Sequence, residues 1–545
     1  MHRNRSVDVH QFAMVPRADI PRAAFKMQKA YKTTFDTGYL YPIFVEEILP
    51  GDTFRVKLTA FARLATPIFP MMDNMYLDTF FFFVPNRLVW SNWKKFMGEQ
   101  RNINDSISYV IPKINSDVGG FPVGSMADYF GVPCAGQTAP DKIISINALP
   151  ARGYNLIYNE WFRDQNLIDS AVNNMGDGPD NRLDYPLRRR AKRHDYFTSA
   201  LPWPQKGGVS VKIPIGTSAP VVPDGTSPTW QRIGMPMAPF ASQTRIAAPG
   251  TQPSAIVIGP VTGGSSIDDG SNPIGFRTSG LIADLSAATS ATINQLRQSF
   301  QIQKLLERDA RGGTRYTEIV RAHFGVMSPD ARLQRPEYLG GGSAPMVLSP
   351  IAQTSGTGLT GQTTPLGNLA AVGTLLANGH GFSQSFTEHG YVIGLVMVRA
   401  DVTYQQGMRR HWSRNTRYDY YFPAFAMLGE QAILNKEIYT TGNSSDLDVF
   451  GYQERWAEYR YSPSEVTGLF RSTSPGTLDA WHLAQRFTSL PLLNQTFIEE
   501  NPPMARVLAV GAAAGGAQII FDGFFDMHVV RPMPLYSVPG LIDHF

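Results

Sequence analysis

The chain has 545 residues, of which 43% are hydrophobic and 17% charged, and its formal net charge is +4. The hydrophobic content excludes a disordered chain, and the charged fraction is below the roughly 25% of an average soluble protein. Extensive subunit contacts would explain the low charge, because charged residues are depleted in interface cores; a large core alone is the alternative. The small positive charge excludes a dedicated nucleic-acid grip but permits a weak, sequence-independent contact with phosphate.

The single cysteine, Cys134, excludes a disulfide within the chain and argues against a cysteine-based metal site. The N-terminus, "MHRNRSVDVHQFAMV", lacks the apolar stretch of a signal peptide. The apolar segment that starts at Val507 is interrupted by glycines and is too short to span a membrane. We therefore expect folding in a reducing cytosol, with no membrane partner, no cofactor and no metal.

The predicted elements begin after an extended N-terminal arm, residues 1–38, whose Arg3 and Arg5 are candidate contacts to nucleic acid. Tyr39–Ala62 predicts a strand, a Pro-Gly-Asp turn and a second strand with alternating apolar and polar side chains. Together with the loops that follow, this segment opens a first strand region, residues 39–215.

The stretch "TFFFFVPNRLVWSNWKKF" (Thr79–Phe96) raises the question of what covers so many aromatic side chains. Tyr76–Val84 is apolar on both sides, which predicts a strand buried on both faces. Asn86–Met97 has apolar residues at helical spacing and ends at a glycine, which predicts a short helix. Its aromatic side chains either cap the barrel or contact a neighbouring subunit, and the subunit-interface candidates are Trp90, Trp93 and Phe96.

A basic run, "RRRAKRHDY" (Arg188–Tyr196), interrupts the loops of residues 100–215. Guanidinium groups next to aromatic rings suit a single-stranded nucleic acid, through phosphate contacts and base stacking. A solvated loop, or arginines that pair with a neighbouring subunit, are the alternatives. The candidate nucleic-acid contacts in this run are Arg188, Arg189, Arg190, Lys192 and Arg193.

Residues 216–280 are rich in Gly, Pro, Ser and Thr and predict an inserted surface module of short strands and turns, with a disordered linker as the alternative. The last region, 281–545, begins with a helix over 291–313 that ends at Gly312-Gly313. After a glycine-rich loop it predicts a long strand (His389–Gly407), a second helix (Pro423–Tyr439) and two more strands. Strands at both ends, with helices and loops between them, predict a mainly β fold: an eight-stranded antiparallel jelly roll with long loop insertions and a few helices.

The sequence contains no catalytic signature: no G-x-S-x-G, H-E-x-x-H, G-x-x-x-x-G-K-[ST] or G-x-G-x-x-G after a strand. His380 and His389 are too loosely spaced to predict a metal site, and the adjacent carboxylates of Glu46 and Glu47 would point to opposite faces of a strand. We therefore predict a protein that is not an enzyme. A β-sandwich carbohydrate-binding protein or glycan-acting enzyme is the alternative, because distant residues can still form such a site.

Four stretches together resemble the major capsid proteins of the Microviridae, of the gokushovirus type. They are "YLDTFFFFVPNRLVWSNWKKFMGE" (Tyr76–Glu99), "RHDYFTSALPWPQKG" (Arg193–Gly207), "LERDARGGTRY" (Leu306–Tyr316) and "HFGVMSPDARLQRPEYLGG" (His323–Gly341).

This resemblance implies a jelly-roll subunit of a T=1 icosahedral virion that is assembled in the host bacterial cytoplasm around circular single-stranded DNA. It implies four kinds of partner besides other copies of the chain and the genome: an internal scaffolding protein, a DNA pilot protein, a small basic DNA-binding protein and a host cell-surface receptor. It also implies that residues 216–280 form a threefold protrusion used in host attachment.

Overall fold

The computed structural model describes residues 21–100, 102–106, 108–207, 221–223, 225, 229–232, 274–278, 281–283, 293–326, 334–354, 367–509 and 516–536. The chain forms two compact units, Met1–Gly208 with Glu307–Phe545, and Val209–Leu306. The second unit contains the predicted insertion, residues 216–280, and extends beyond it on both sides. Its described strands form two small antiparallel pairs.

The strands within the described residues are, in chain order, β1 (Ala23–Phe35), β2 (Tyr41–Ile48), β3 (Thr53–Leu64), β4 (Met75–Pro85), β5 (Lys113–Asn115), β6 (Ser145–Asn147), β7 (Val221–Pro223), β8 (Thr229–Arg232), β9 (Ile274–Thr278), β10 (Leu281–Ala283), β11 (Glu337–Pro345), β12 (Val347–Ala352), β13 (Leu369–Ser385), β14 (Gly390–Ala400), β15 (Glu430–Leu434), β16 (Val449–Glu454) and β17 (Ile519–Arg531). The α-helices are α1 (Trp93–Phe96), α2 (Met126–Tyr129), α3 (Leu149–Ile157), α4 (Ile293–Arg311), α5 (Tyr316–Phe324), α6 (Asn435–Ile438) and α7 (Gln495–Ile498).

Two antiparallel sheets dominate the first unit. One has five strands in the order β1-β17-β3-β13-β12, and the other has four in the order β11-β4-β14-β2. Successive strands β1 to β4 alternate between the two sheets, as do β13, β14 and β17. The predicted mainly β, antiparallel class is thereby confirmed. The order is compatible with the predicted eight-stranded jelly roll, with β12 as an additional edge strand.

The sandwich core lies between the two sheets. Strand β3 shows how the sequence forms it, since its side chains alternate strictly between buried and exposed. Phe44 of β2 contacts Phe81 of β4 and Phe525 of β17, with ring centroids 5.9 and 5.0 Å apart. The Phe44–Phe525 contact joins the two sheets, whereas Phe44 and Phe81 belong to the same sheet. Each aromatic pair contributes about 0.5–1.5 kcal/mol beyond the burial of its surface area.

A second hydrophobic core covers the outer face of the four-stranded sheet. The loop segments and short helices between residues 86 and 185 form a loop layer over this sheet. Strand β4 serves both cores, because successive residues point to opposite faces: Phe81 and Phe83 lie in the sandwich core, whereas Phe82 lies in the core under the loop layer, with Phe80 packed against it. The predicted strand that is buried on both faces is therefore confirmed, and the chain itself covers these phenylalanines.

Four predicted elements differ from the observed ones. Residues 23–35 of the predicted arm form β1, which pairs with β17 along its whole length, from Ala23 opposite Arg531 to Phe35 opposite Ile519. Asn86–Met97 is not one helix but a 3₁₀ turn (Asn86–Leu88) followed by α1. The backbone N–H of Ser91 donates to Met175 O at 3.0 Å, so a contact with a distant segment replaces helical hydrogen bonding there.

The second predicted helix, Pro423–Tyr439, is wrong. The segment contains a 3₁₀ turn (Pro423–Phe425), strand β15 and the four-residue helix α6. Gly429 has a φ of +75°, a conformation that ends a helix, and β15 gains the hydrogen bonds of its partner β16. Tertiary pairing thus overrides a helical pattern of apolar residues. The predicted helix over 291–313 is confirmed as α4, whereas the strand predicted for His389–Gly407 already ends at Ala400.

Candidate assembly surface

The three arginines that open the basic run lie on aromatic rings of their own chain. The Arg188 guanidinium is 5.3 Å from the centroid of Tyr158, and that of Arg189 is 4.0 Å from Tyr39. Arg190 lies over two phenylalanines, Phe80 and Phe162, at 5.4 and 5.6 Å. The predicted mixture of guanidinium and aromatic groups is present, but within the subunit these groups stabilise one another as cation–π pairs.

Arg190 also belongs to a buried charge cluster at the outer face of β4. Its guanidinium lies 3.4 Å from the Asp78 carboxylate, which in turn accepts a 2.8 Å hydrogen bond from Arg399 Nε. Asp78 and Arg399 are both nearly inaccessible to solvent. Burial lowers the pKa of Arg190. Breaking one partner of such a buried pair leaves an uncompensated charge, so this cluster is structural.

Lys192 is buried and cannot contact DNA in this conformation. Its ammonium donates to Gln485 Oε1 at 3.0 Å and to the carbonyl of Phe497 at 2.5 Å. The ammonium also lies 4.7 Å from the Phe497 ring centroid, and burial lowers the pKa of Lys192 to about 8. A nucleic-acid contact of Lys192 would therefore need a different conformation, and it stays a prediction. Of the five candidate contacts in this run only Arg193 is exposed, and Arg3 and Arg5 lie outside the described residues.

The tryptophans after β4 also belong to the interior. Trp90 has no exposed surface, and its indole N–H donates to Asp177 at 2.7 Å. Trp93 is 8% exposed, and both rings pack against Phe96. Trp90 and Trp93 thus cap the outer face of the four-stranded sheet, which was the alternative to a subunit contact. Phe96, which is half-buried, is the one of these three side chains with surface left for a neighbour.

A different segment presents aromatic side chains to solvent. The aromatic surface comprises residues 412–428 together with Tyr459 and Tyr461. Trp412 is 73% exposed and Met427 is 95% exposed. The other exposed members are Tyr418, Tyr420, Tyr421, Phe422, Leu428, Tyr459 and Tyr461. The segment contains arginine but no lysine. Tryptophan, tyrosine, methionine and arginine are the residues enriched in protein–protein interfaces.

This aromatic surface is held in place by its own polar contacts. Arg414 pairs with Glu458 at 3.3 Å and lies over the rings of Tyr420 and Tyr459. Asp419 accepts backbone hydrogen bonds from Thr416 at 2.7 Å and from Asn415 at 3.0 Å, and these bonds lower the pKa of Asp419. A surface ordered before binding costs less conformational entropy when a partner covers it. Sequence reasoning missed it, although the aromatic density of "RYDYYFPAF" was a signal.

A cavity of about 800 Å³ opens beside the aromatic surface. Arg410 and Glu437 lie in its wall, 3.3 Å apart. Glu437 accepts hydrogen bonds on both oxygens, from Leu434 N at 3.0 Å and from the Tyr196 hydroxyl at 2.9 Å. Burial raises the pKa of Glu437, but its oxygens are already occupied, so this carboxylate supports the fold of the cavity wall.

Two other kinds of functional feature are absent from the described residues. In that part of the chain, no cluster of three or more His, Cys, Asp or Glu side chains is arranged to hold a metal ion. None of its helices is long and apolar enough to cross a membrane.

Comparison with known proteins identifies the family. A family model described as "Capsid protein (F protein)" matches residues 13–541. Capsid protein VP1 of Bdellovibrio phage phiMH2K is 51% identical, that of Chlamydia phage 1 is 42% identical and that of Spiroplasma virus 4 is 37% identical, and each match covers 98% of both chains. The resemblance to capsid proteins of the gokushovirus type is confirmed. The chain therefore belongs to the capsid protein (F protein) family, and it is a structural protein of a microvirus particle.

Proposed function

We propose that this chain self-assembles into a small T=1 icosahedral shell that encloses a circular single-stranded DNA phage genome. Family membership supports the capsid role. The observation that carries the assembly step is the aromatic surface, on which Trp412 and Met427 are 73% and 95% exposed. A preordered apolar and arginine-rich surface of this kind is covered most favourably by another protein chain, and in a closed shell that chain is another copy.

The decisive experiment compares two variants in particle assembly. The chain is expressed with the neighbouring genes of its phage, and particles are counted by electron microscopy. We expect Trp412→Ala/Met427→Ala to reduce particle yield at least about tenfold, because truncation of central interface residues costs about 2 kcal/mol or more. The thermal midpoint of the unassembled subunit should stay unchanged, because both side chains are exposed.

Tyr316→Ala is the matched control, because Tyr316 is 79% exposed on α5, outside the aromatic surface. It should assemble like wild type. Normal particle yield from the Trp412→Ala/Met427→Ala variant would refute the assignment of the aromatic surface. If wild type forms only monomers or small oligomers under all conditions, the shell function itself fails.

The remaining parts of the proposal concern partners. Assembly in the bacterial cytoplasm involves an internal scaffolding protein, a DNA pilot protein and a small basic DNA-binding protein. Residues 216–280, most of which lie outside the described residues, form the protrusion that binds the host receptor. Deleting them should leave particles intact and abolish adsorption to host cells; unchanged adsorption would contradict this role.

We propose no catalytic function. A glycan-acting enzyme needs a pair of carboxyl groups free to exchange protons and attack the substrate. In the cavity wall, the buried Glu437 and the partly buried Glu458 are instead paired with Arg410 and Arg414.

A further inference from the structure

We propose that the outer face of the five-stranded sheet, which we name the open face, is the surface that binds the single-stranded DNA. This inference rests on the proposed function, a shell around a DNA genome, and assigns the DNA contact to particular residues. The open face is formed by the outward side chains of β1, β17, β3, β13 and β12.

The open face is exposed over its full width. Strands β1 and β3 alternate between covered and exposed side chains, so every second residue points outward. Phe61 of β3 is 48% exposed, Phe524 of β17 is 44% exposed and Leu376 of β13 is 68% exposed. The outer face of the four-stranded sheet has no comparable opening, because the loop layer covers it. One side of the sandwich is thus available for contact with a molecule outside the subunit.

The charge of the open face is positive. Its outward cations are Lys26, Lys32, Arg55, Lys57 and Arg63, against two acids, Asp522 and Asp526. Lys32 pairs with Asp522. Within the described part of the chain, Lys26, Arg55, Lys57 and Arg63 have no ion-pair partner, whereas Arg190 of the basic run is paired with Asp78. Four cations without an ion pair, against the one remaining acid Asp526, leave this sheet face positive, which is complementary to a polyanion.

The strand register places these cations in neighbouring rows. His528 stands between Lys26 on one side and Arg55 on the other, and in the next row Asp526 stands between Gln28 and Lys57. Neighbouring strands are about 4.8 Å apart, and outward residues along a strand are about 7 Å apart. The cations therefore form a patch rather than scattered points, and a flexible strand of phosphates can follow it.

Two exposed aromatic rings lie beside the cations. Phe61 faces Asp522 across the strand pair, and Phe524 faces Thr59, so the two rings are diagonal neighbours. Beside them Thr59 and Asn378 are small and polar and leave room for a base, and Leu376 faces Phe61 from β13. Basic residues that hold phosphates, together with aromatic rings that stack on bases, are how single strands are bound without sequence preference. Several RNA-binding domains use a sheet surface in the same manner.

The test measures binding of a fluorescent oligo(dT) of about 20 nucleotides to the full-length chain by anisotropy, between about 50 and 200 mM salt. For single strands, log K falls with log salt by about 0.7 per neutralised phosphate. We expect Arg55→Gln/Lys57→Gln to reduce this slope by about 1.4. Phe61→Ala should weaken binding about tenfold at an unchanged slope, because stacking releases no counterion.

The matched control is Lys94→Gln/Lys113→Gln, which removes two exposed lysines of the loop layer. It should bind like wild type. Wild-type affinity and slope in Arg55→Gln/Lys57→Gln would overturn the assignment of this face. That result would leave the proposed function intact as long as the wild-type chain forms DNA-filled particles, whereas absence of particles would remove the proposed function itself.

A second measurement needs no variant. Lysine acetylation of intact particles, read by mass spectrometry, should show Lys26 and Lys57 protected in DNA-filled particles and reactive in emptied ones, with Lys94 equal in both. Protection that persists after the DNA is removed would identify another protein chain as the occupant and overturn the DNA assignment.

Discussion

The two outer faces of the sandwich differ in solvent exposure: one is covered by the loop layer and the other is exposed. The four-stranded sheet is buried on both sides, because the loop layer packs Trp90, Tyr154 and Phe162 against it. The five-stranded sheet is buried on one side only, and its other side alternates cations with exposed phenylalanines. The comparison shows that coverage, rather than residue type, decides whether a basic or aromatic side chain serves the fold or faces a partner.

The same difference appears in the cations. Away from the open face, Arg190 has an aromatic ring and a carboxylate as partners, and Lys192 has a backbone carbonyl. On the open face, Lys26, Arg55 and Lys57 have no ion-pair partner in the described part of the chain. Four predictions test this comparison, from the largest expected effect to the smallest.

Arg152→Ala should destabilise the loop layer most. Arg152 on α3 donates two 2.7 Å hydrogen bonds to Asp180 and one of 3.0 Å to the Val89 carbonyl, and both side chains of the ion pair are 1% exposed or less. Leaving Asp180 buried without its partner should lower the free energy of unfolding by about 3–5 kcal/mol. Denaturant titration of the unassembled subunit, followed by tryptophan fluorescence, measures it.

The control for Arg152 is Arg182→Ala, which removes a much more exposed ion pair with Asp117. Its effect should stay below about 1 kcal/mol. Equal effects of the two variants would show that the loop layer is not anchored by the buried pair.

Phe82→Ala and Phe61→Ala compare the two faces with the same chemistry. Phe82 is 1% exposed under the loop layer, and its truncation should cost about 3–5 kcal/mol of unfolding free energy. Phe61 is 48% exposed on the open face, so its truncation should cost about 1 kcal/mol or less. Thermal unfolding of both variants checks this, and a large loss for Phe61→Ala would mean that another segment covers the open face.

His380 makes the joint between the two sheets dependent on pH. Its Nδ1 lies 2.8 Å from the Thr79 hydroxyl, which joins β13 to β4, and burial lowers its pKa below the usual 6.5. Below about pH 6.5 the unfolded chain therefore binds the proton first, so stability is complete above this pH and falls as the pH drops.

The measurement for His380 is the unfolding midpoint between about pH 5 and 8, compared with His380→Gln. The wild-type midpoint should fall on the acid side by more than that of the variant, because only the wild type takes up the His380 proton when it unfolds. Over one pH unit this proton uptake changes the free energy of unfolding by at most about 1.4 kcal/mol. Parallel curves would show that His380 titrates alike in the folded and unfolded chain.

Arg193→Gln should have the smallest effect. Arg193 is the exposed one of the five candidate contacts in the basic run, so its loss should change the unfolding free energy by no more than about 0.5 kcal/mol. In the oligo(dT) assay it should reduce the salt slope by at most about 0.7, half the effect expected for Arg55→Gln/Lys57→Gln. A larger reduction of the salt slope would indicate that DNA binds at the basic run instead of the open face.

Sequence reasoning predicted the local elements best where a pattern is strictly periodic. The alternation in β3, the doubly apolar β4 and the helical repeat of α4 are properties of short segments, and each was confirmed. The same alternation is present in β1, where Lys26 and Gln28 alternate with Met27 and Lys29, but these residues were assigned to an extended arm. The helix predicted for Pro423–Tyr439 failed because β15 obtains its hydrogen bonds from β16.

The sequence by itself determined the family, through motifs such as "LQRPEYLGG", and the mainly β class, because side-chain periodicity is set by the local backbone. Only the tertiary structure decided which aromatic and basic residues are free to bind a partner. Trp90 is interior because the Asp177 carboxylate, 87 positions away, accepts a hydrogen bond from its indole N–H. Lys192 is interior because the Phe497 carbonyl, 305 positions away, accepts a hydrogen bond from its ammonium group. Whether a sheet face is covered depends on segments that are remote in the chain. A local sequence pattern does not indicate which remote segment packs against that face.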